Sequence, residues 1–306
     1  MSSEKVKVAV LLATYNGERY IQEFLDSLCL QSHSNLRLYV RDDGSRDLTR
    51  EIVASYKDKL DIAVIDGGMQ LGPAASFFQI LEQSCDTHPL YLFADQDDWW
   101  YPEKIERALA AIDGKYNEVL LYCSRLEYVS EELQHIGFSP VPRILTFENA
   151  VVENIATGCT VAFTNRVRLE VLSGNPRGFV MHDWWLYLYC SAVGKVLYDP
   201  KASIKYRQHA GNAIGAATTA LEDFRRRWRR FVRRDGGVHR LSAQAEAFLA
   251  CYGDRLSQPH KVILAKLLAG KKGIFGGLRL AIWAPVERQS FSDTFVMRIL
   301  FLLRRY

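Results

Sequence analysis

The residues best suited to chemistry stand together in the run Phe93-Ala94-Asp95-Gln96-Asp97-Asp98-Trp99-Trp100. The apolar residues Leu90-Tyr91-Leu92-Phe93 read as the end of a buried strand, and Pro102 opens a helix-like stretch. Three carboxylates within four positions repel one another unless a cation lies among them. Hard carboxylate oxygens at the tip of a parallel strand suit a divalent metal and, through it, a diphosphate. The same residues also make an ordinary polar turn in which Asp98 caps the following helix. Two further strand ends carry polar clusters, Thr14-Tyr15-Asn16 and Asp42-Asp43-Gly44-Ser45. One such cluster is a turn; three on one edge of one sheet read as a binding site.

The elements that position them alternate. Residues 6–13 are a near-continuous apolar run, as a central parallel strand requires. Residues 21–31 have helical spacing at Ile21, Phe24, Leu25 and Leu28. Strands are expected at 36–40, 62–65 and 90–93, and helices at 49–56, 73–83 and 103–112, with Pro73 in a first turn. This order predicts an α/β fold with a doubly wound, mostly parallel sheet, whose ligands sit beyond the carboxyl ends of the strands. No GxGxxG follows the first strand and no GxxxxGK[ST] occurs, which disfavours a dinucleotide Rossmann enzyme and excludes a P-loop. Later, 119–128 reads as a strand, 155–163 as a strand with a bend at Gly158 and Cys159, and 181–192 as a helix. Short strands are expected at 195–198 and 204–206, followed by a polar loop through Arg207, His209 and Asn212.

The 306 residues suffice for one large domain with an appendage or for two modest ones. Net charge is divided: residues 1–220 hold 21 Lys and Arg against 28 Asp and Glu, and residues 221–306 hold 18 against 7. An acidic body with a basic end suggests a domain tethered to an anionic partner. Within 224–234, seven arginines surround Phe224, Trp228, Phe231 and Val232 on one helical face. That is either a solvated cationic helix packed by its aromatic stripe or an interfacial helix on anionic lipid. Nucleic acid is disfavoured by the acidic body. The six cysteines have no zinc-ligand spacing and fit a reducing cytoplasm. A strand directly after the N-terminal residues leaves no room for a signal peptide, and no apolar stretch reaches spanning length.

The ordered set Ala13-Thr14-Tyr15-Asn16-Gly17, Asp42-Asp43-Gly44-Ser45-Arg46-Asp47 and Asp95-Gln96-Asp97-Asp98 with Pro102 resembles family 2 glycosyltransferases of GT-A fold, across roughly the first 215 residues. His182-Asp183-Trp184-Trp185 and Tyr206-Arg207-Gln208-His209-Ala210-Gly211-Asn212 are similar to the bacterial rhamnosyltransferase-like branch. The resemblance implies a GT-A domain over 1–220 and a basic helical region over 221–306 that meets a membrane surface or another subunit.

It also implies roles. Ala13, Thr14, Tyr15, Asn16 and Asp43 would hold the nucleotide, with Asp42 in support. Asp95 and Asp97 match the DxD motif, one contacting ribose and the other a Mg²⁺ or Mn²⁺, with His209 near the diphosphate. Asp183 matches the general base, with His182 where the family has Glu. Asp98, Gly158, Cys159, His182, Trp184, Trp185 and Arg207 would line the sugar or acceptor side. The donor would be dTDP-rhamnose or a UDP-sugar, and the acceptor a saccharide or a polyprenyl-linked glycan, handled at the inner face of the cell membrane in surface polysaccharide synthesis.

Read from the residues alone, Asp183 caps a helix equally well, His209 is an ordinary loop histidine, and Trp184 and Trp185 are core. A non-catalytic membrane-surface scaffold that keeps a GT-A body is the competing expectation.

Overall fold

The computed structural model describes residues 6–85, 87–209 and 240–306. The first half runs β1 (Val8–Thr14), α1 (Ile21–Cys29), β2 (Leu36–Asp42), α2 (Thr49–Ser55), β3 (Ile62–Ile65), α3 (Pro73–Gln83), β4 (Leu90–Ala94), β5 (Trp99–Trp100) and α4 (Lys104–Ile112). Then come β6 (Leu120–Val129), β7 (His135–Phe138), α5 (Phe147–Ala150), a 3₁₀ turn at Gly158–Thr160, β8 (Ala162–Thr164), α6 (Asn165–Ser173), α7 (His182–Val193) and β9 (Lys195–Arg207). The described C-terminal helices are α8 (Arg240–Tyr252), α9 (Gln258–Ala269), α10 (Gly273–Trp283) and α11 (Phe291–Leu302).

The strands form one mixed sheet in the order β3-β2-β1-β4-β8-β6-β9-β5, with β7 on β6. The chain leaves β1 toward β2 and β3, then returns to pair β4 on the other side of β1, all in parallel. That reversal puts the carboxyl ends of β1, β2 and β4 side by side, where a doubly wound sheet opens its crevice.

Alternation along β1 feeds two cores. Val8, Val10 and Leu12 face Phe24, Leu25 and Leu28 of α1, together with Ile105 and Leu109 of α4. Ala9 and Leu11 face Phe77 and Leu81 of α3, and that cluster continues into Trp185, Tyr187 and Tyr189 of α7. Helices therefore cover both faces of the sheet, as the sequence predicts.

The second half departs from expectation locally. The two short strands expected at 195–198 and 204–206 are one strand, β9, with its irregularity opposite Ser124 and Arg125 of β6. Pro200 and Lys201 fall in that irregularity, between Asp199 and Ala202, where a missing proline N–H breaks no ladder bond. Residues 155–163 are a 3₁₀ turn leading into β8 rather than a bent strand.

The C-terminal helices join the second core: Phe248 and Tyr252 meet Trp185 at ring separations of 5.3 and 6.0 Å. Gln289 ties to the body by donating to the Ile144 carbonyl at 2.6 Å. The expected division at residue 220, the arginine-rich stretch 224–234 and the loop residues Ala210 to Asn212 lie outside the described residues. No helix among the described residues is long and apolar enough to cross a membrane.

Candidate active site

The three polar strand ends meet through their own backbones. Thr14 donates through Oγ1 to Asp42 Oδ1 at 2.9 Å, and the Asn16 N–H donates to Ser45 Oγ at 2.9 Å. Asn16 returns the tie by accepting the Arg46 N–H on Oδ1 at 2.9 Å. Asn16 sits at φ 45°, a left-handed turn that asparagine tolerates better than most residues. Gln96, in the middle of the acidic run, exchanges both amide hydrogen bonds with the Tyr15 backbone, each at 3.0 Å. A Cβ on Gly17 would stand 2.3 Å from Gln96 Oε1, so glycine there leaves room for the Gln96 amide over the turn after β1. Ala13 is half-buried at this junction, and the Tyr15 ring stays exposed beside it.

Asp42 and Asp43 are committed differently. Asp42 accepts from Ser45 N–H at 2.8 Å and from Gly44 N–H at 3.2 Å, holding its own turn. Asp43 is buried and accepts from Leu71 N–H at 2.8 Å and Gly72 N–H at 2.7 Å. Burial alone would raise its pKa; the bonds from Leu71, Arg41, Gly72 and Ser76 together hold it below the ordinary value. Arg41 is fully buried and satisfied by Asp43, Ser76, Gln79 and the Gly67 and Met69 carbonyls. It therefore fixes the loop between β3 and α3 as the wall above Asp43.

The acidic run itself is electrostatically unbalanced. Asp98 is buried; its Oδ1 accepts the Arg207 N–H at 3.3 Å, and its Oδ2 accepts no hydrogen bond of ordinary geometry. The facing oxygens of Asp95 and Asp98 and the Cys159 sulfur lie within 4.8 Å of one another. Burial first, then the charges of neighbouring carboxylates, pushes the pKa of Asp95 up, and the same kinds of cause push Asp98 up. Asp97 faces outward to His209, whose Nε2 lies 2.7 Å from Asp97 Oδ2 and whose ring stacks on Tyr20 at 5.2 Å. Asp95 and Asp98, raised by burial and by the Asp97 charge, with Asp97 itself against His209, make a donor set that a hard divalent cation would relieve. The residues present fit such an ion.

Two basic residues support this cluster from behind. Arg207 is buried, donates through Nε to the Asp97 carbonyl at 2.9 Å and through Nη2 to Glu23 at 2.6 Å, and lies over Tyr20. It holds the acidic loop to β9 and α1. Lys104 is buried too, donating to the Cys159 carbonyl at 2.9 Å and to Ser203 Oγ at 3.3 Å. Burial pulls its pKa down to about 8, against the opposing pull of Cys159, Asp98 and Asp95. The sequence pattern singled out neither Gln96, Arg41 nor Lys104; each acts through the backbone of another segment, which spacing does not reveal.

Across from the acids stands Asp183, in the first turn of α7. Met181 occupies the cap position with no side-chain cap bond. Asp183 instead accepts the Trp184 N–H on Oδ1 at 2.6 Å and the Gly158 N–H on Oδ2 at 2.9 Å. Burial raises its pKa to about 6 despite those bonds. A carboxyl poised there can take a proton near neutral pH. His182 is buried between Phe77, stacked at 4.0 Å, and Phe93, edge-on at 4.6 Å. Neither of its ring nitrogens has a hydrogen-bond partner among the described residues, and burial lowers its pKa to about 3. A Cβ on Gly158 would lie 3.0 Å from His182 Nε2, so this turn passes tightly over the His-Asp pair.

The Cys159 thiol is buried with its pKa pushed well up, so it stays protonated. Trp184 is half-buried and donates to the Ala150 carbonyl at 2.7 Å, whereas Trp185 turns wholly into the core and reaches the Tyr252 hydroxyl.

Comparison with known proteins bears on the family and the fold. A glycosyltransferase of Rickettsia typhi is 23% identical over 315 residues, covering 98% of this chain and 92% of its own. A dTDP-rhamnosyl transferase of Shigella flexneri is 26% identical over 234 residues, covering 70% of this chain and 77% of its own. The structure of Staphylococcus aureus TarS residues 1–349 with UDP-GlcNAc shares the fold at a TM-score of 0.57 and 20% identity, covering 98% of this chain and 88% of that one. The model of the family described as Glycosyl transferase family 2 matches residues 9–171, more than half of the chain, and the protein belongs to that family.

Proposed function

We propose that this family 2 glycosyltransferase is an inverting, metal-dependent enzyme that transfers L-rhamnose from dTDP-rhamnose to a saccharide or polyprenyl-linked acceptor in bacterial surface polysaccharide synthesis. The observation that carries the reading is Asp183: a buried carboxyl, raised toward neutrality and held by two backbone N–H groups, opposite the acidic strand end. The resemblance to a dTDP-rhamnosyl transferase supports the donor, and UDP-sugars are the competing donor class.

Asp43 would accept the base imide N–H on the oxygen that Gly72 leaves partly open, with the exposed Tyr15 ring alongside the base. Ala13, Thr14 and Asn16 frame that pocket, and Asp42 holds its turn. Asp95, Asp97 and His209 would hold a Mg²⁺ or Mn²⁺, which when bound stabilises charge on the departing diphosphate. Asp98, Gly158, Cys159, His182 and Trp184 would shape the sugar and acceptor side, with Arg207 fixing the acidic loop.

A sugar hydroxyl is a poor nucleophile, so Asp183 takes its proton as the new glycosidic bond forms and the bond to phosphate breaks. Attack on the face opposite the leaving group inverts the anomeric centre, giving an α-linked product from a β-L-rhamnosyl donor. The N-terminal 220 residues would be the catalytic unit, and 221–306 would hold it at the cytoplasmic face of the membrane.

The test is a donor panel of dTDP-L-rhamnose, UDP-GlcNAc and GDP-mannose with mixed saccharide acceptors, the linkage read by NMR. An α-rhamnosyl product supports the reading. Transfer from another donor, or retention at the anomeric carbon, contradicts the donor or the mechanism respectively.

A further inference from the structure

Helices α9 and α10 enclose a groove of about 740 Å³ that the transferase chemistry does not use. Its lining includes the small residues Ala265, Ala269 and Gly276. The walls are set by close approach: a Cβ on Gly276 would lie 2.8 Å from the Ala269 carbonyl, and one on Gly270 would lie 2.6 Å from Leu280. The groove is thus built into the packing of the two helices.

Its rim is apolar yet open to solvent, with Phe275 85%, Trp283 72% and Val262 47% exposed. Phe291 and Phe295 on α11, four residues apart, are exposed as well, at 86% and 61%. Lys266 and Arg279 line the same groove. Residues 261–306 carry nine Lys and Arg against two Asp and Glu, so the segment that forms the groove is net positive. Open aromatics beside cations mark a surface made to be covered, and Trp and Phe with Lys and Arg are the composition of an interfacial membrane face.

We infer that the α9–α10 groove is the membrane-docking face of this protein, taking the apolar chain of an anionic phospholipid while Lys266 and Arg279 meet its phosphate. The inference rests on the membrane contact within the proposed function and adds where it is made: on α9 and α10 rather than on the sequence stretch 224–234. Charge complementarity selects lipid over a second copy of the chain, because two such faces would bring like charges together.

The experiment uses the full chain and phosphatidylcholine vesicles with and without phosphatidylglycerol. The parent protein should float with the anionic vesicles and not with the neutral ones. The double variant F275S/W283S, changed only at exposed side chains, should partition about tenfold more weakly. Lipids brominated in their acyl chains should quench the parent's tryptophan emission, and W283F, which keeps an apolar ring, should lose most of that quenching while still binding. Unchanged partitioning by F275S/W283S, or equal quenching of the parent and W283F, would overturn the assignment. Loss of a dimer in sedimentation by F275S/W283S with vesicle binding intact would overturn it in favour of a copy interface. Circular dichroism checks the folding of each variant and dTDP binding is measured in parallel, so failure of the donor reading shows separately.

Discussion

Replacing Asp183 by Asn removes the proposed base and changes little else in shape. The magnitudes follow from its surroundings. Burial raises the carboxyl from 3.8 to about 6, about two units, so at pH 7 the folded chain holds an ionised group at a cost of roughly 3 kcal/mol. Asparagine removes that cost. It also turns an NH₂ toward either the Gly158 or the Trp184 N–H, since its single oxygen can accept only one of the two. That mismatch costs about 1–3 kcal/mol. The variant should therefore be as stable as the parent at pH 7, or more stable by up to about 2 kcal/mol. Nucleotide binding should be unchanged, because Asp183 makes no bond to the strand-end turns. Transfer should fall by about 10²- to 10⁴-fold in kcat, the worth of a positioned general base.

The pH profile gives a second reading of the same group. In the parent, activity should fall as pH drops through about 6, where Asp183 takes up its proton. A bound divalent cation shifts that limb to lower pH by favouring the carboxylate. The residual activity of D183N should lack the limb. A variant that keeps kcat within about fivefold of the parent, with its acidic limb in place, would refute the base assignment.

Other changes test the supporting residues. Arg41→Leu leaves Asp43 and the Gly67 and Met69 carbonyls without their buried donor; urea unfolding should show a loss of about 3–5 kcal/mol, and a change below about 1 kcal/mol contradicts the role. Gln96→Ala breaks both bonds between the acidic run and the Tyr15 backbone; nucleotide affinity by calorimetry should fall about tenfold with the melting temperature nearly unchanged. Gly158→Ala presses a methyl group against His182 and toward Asp183, so steady-state kinetics should show a lower kcat with the donor affinity retained.

Much of this was legible because the relevant signals are local. The run at 6–13 is apolar on both faces because β1 lies between β2 and β4 with helices above and below, and such a strand cannot alternate. The strand-end acids are contiguous in sequence, so their clustering needed only the parallel order to become a site. What stayed hidden depends on distant partners. The single strand β9 carries Pro200, which reads as a break until the irregularity opposite Ser124 is known. The strand Trp99–Trp100 is two residues long and pairs with Lys205 and Ile204, a hundred residues away. Arg298, in the aliphatic C-terminal segment, is spent on the Ala281 and Ala284 carbonyls near the end of α10, a partnership its own sequence surroundings do not show. Trp185 and Trp184 are neighbours in sequence, and only helix rotation buries one fully in the core and leaves the other half-buried at its edge, bonded to the Ala150 carbonyl.

We propose that Asp95, Asp97 and His209 hold the metal of a nucleotide site at the carboxyl edge of the sheet. Calorimetric titration of dTDP, UDP and GDP, each with Mn²⁺ and with EDTA, tests it most directly and needs no acceptor. The account predicts that dTDP binds in the presence of Mn²⁺, that EDTA abolishes most of the heat, and that Asp97→Ala does the same with the metal present. Equal dTDP binding in Mn²⁺ and in EDTA, or no binding of any of the three nucleotides to folded protein, would contradict it.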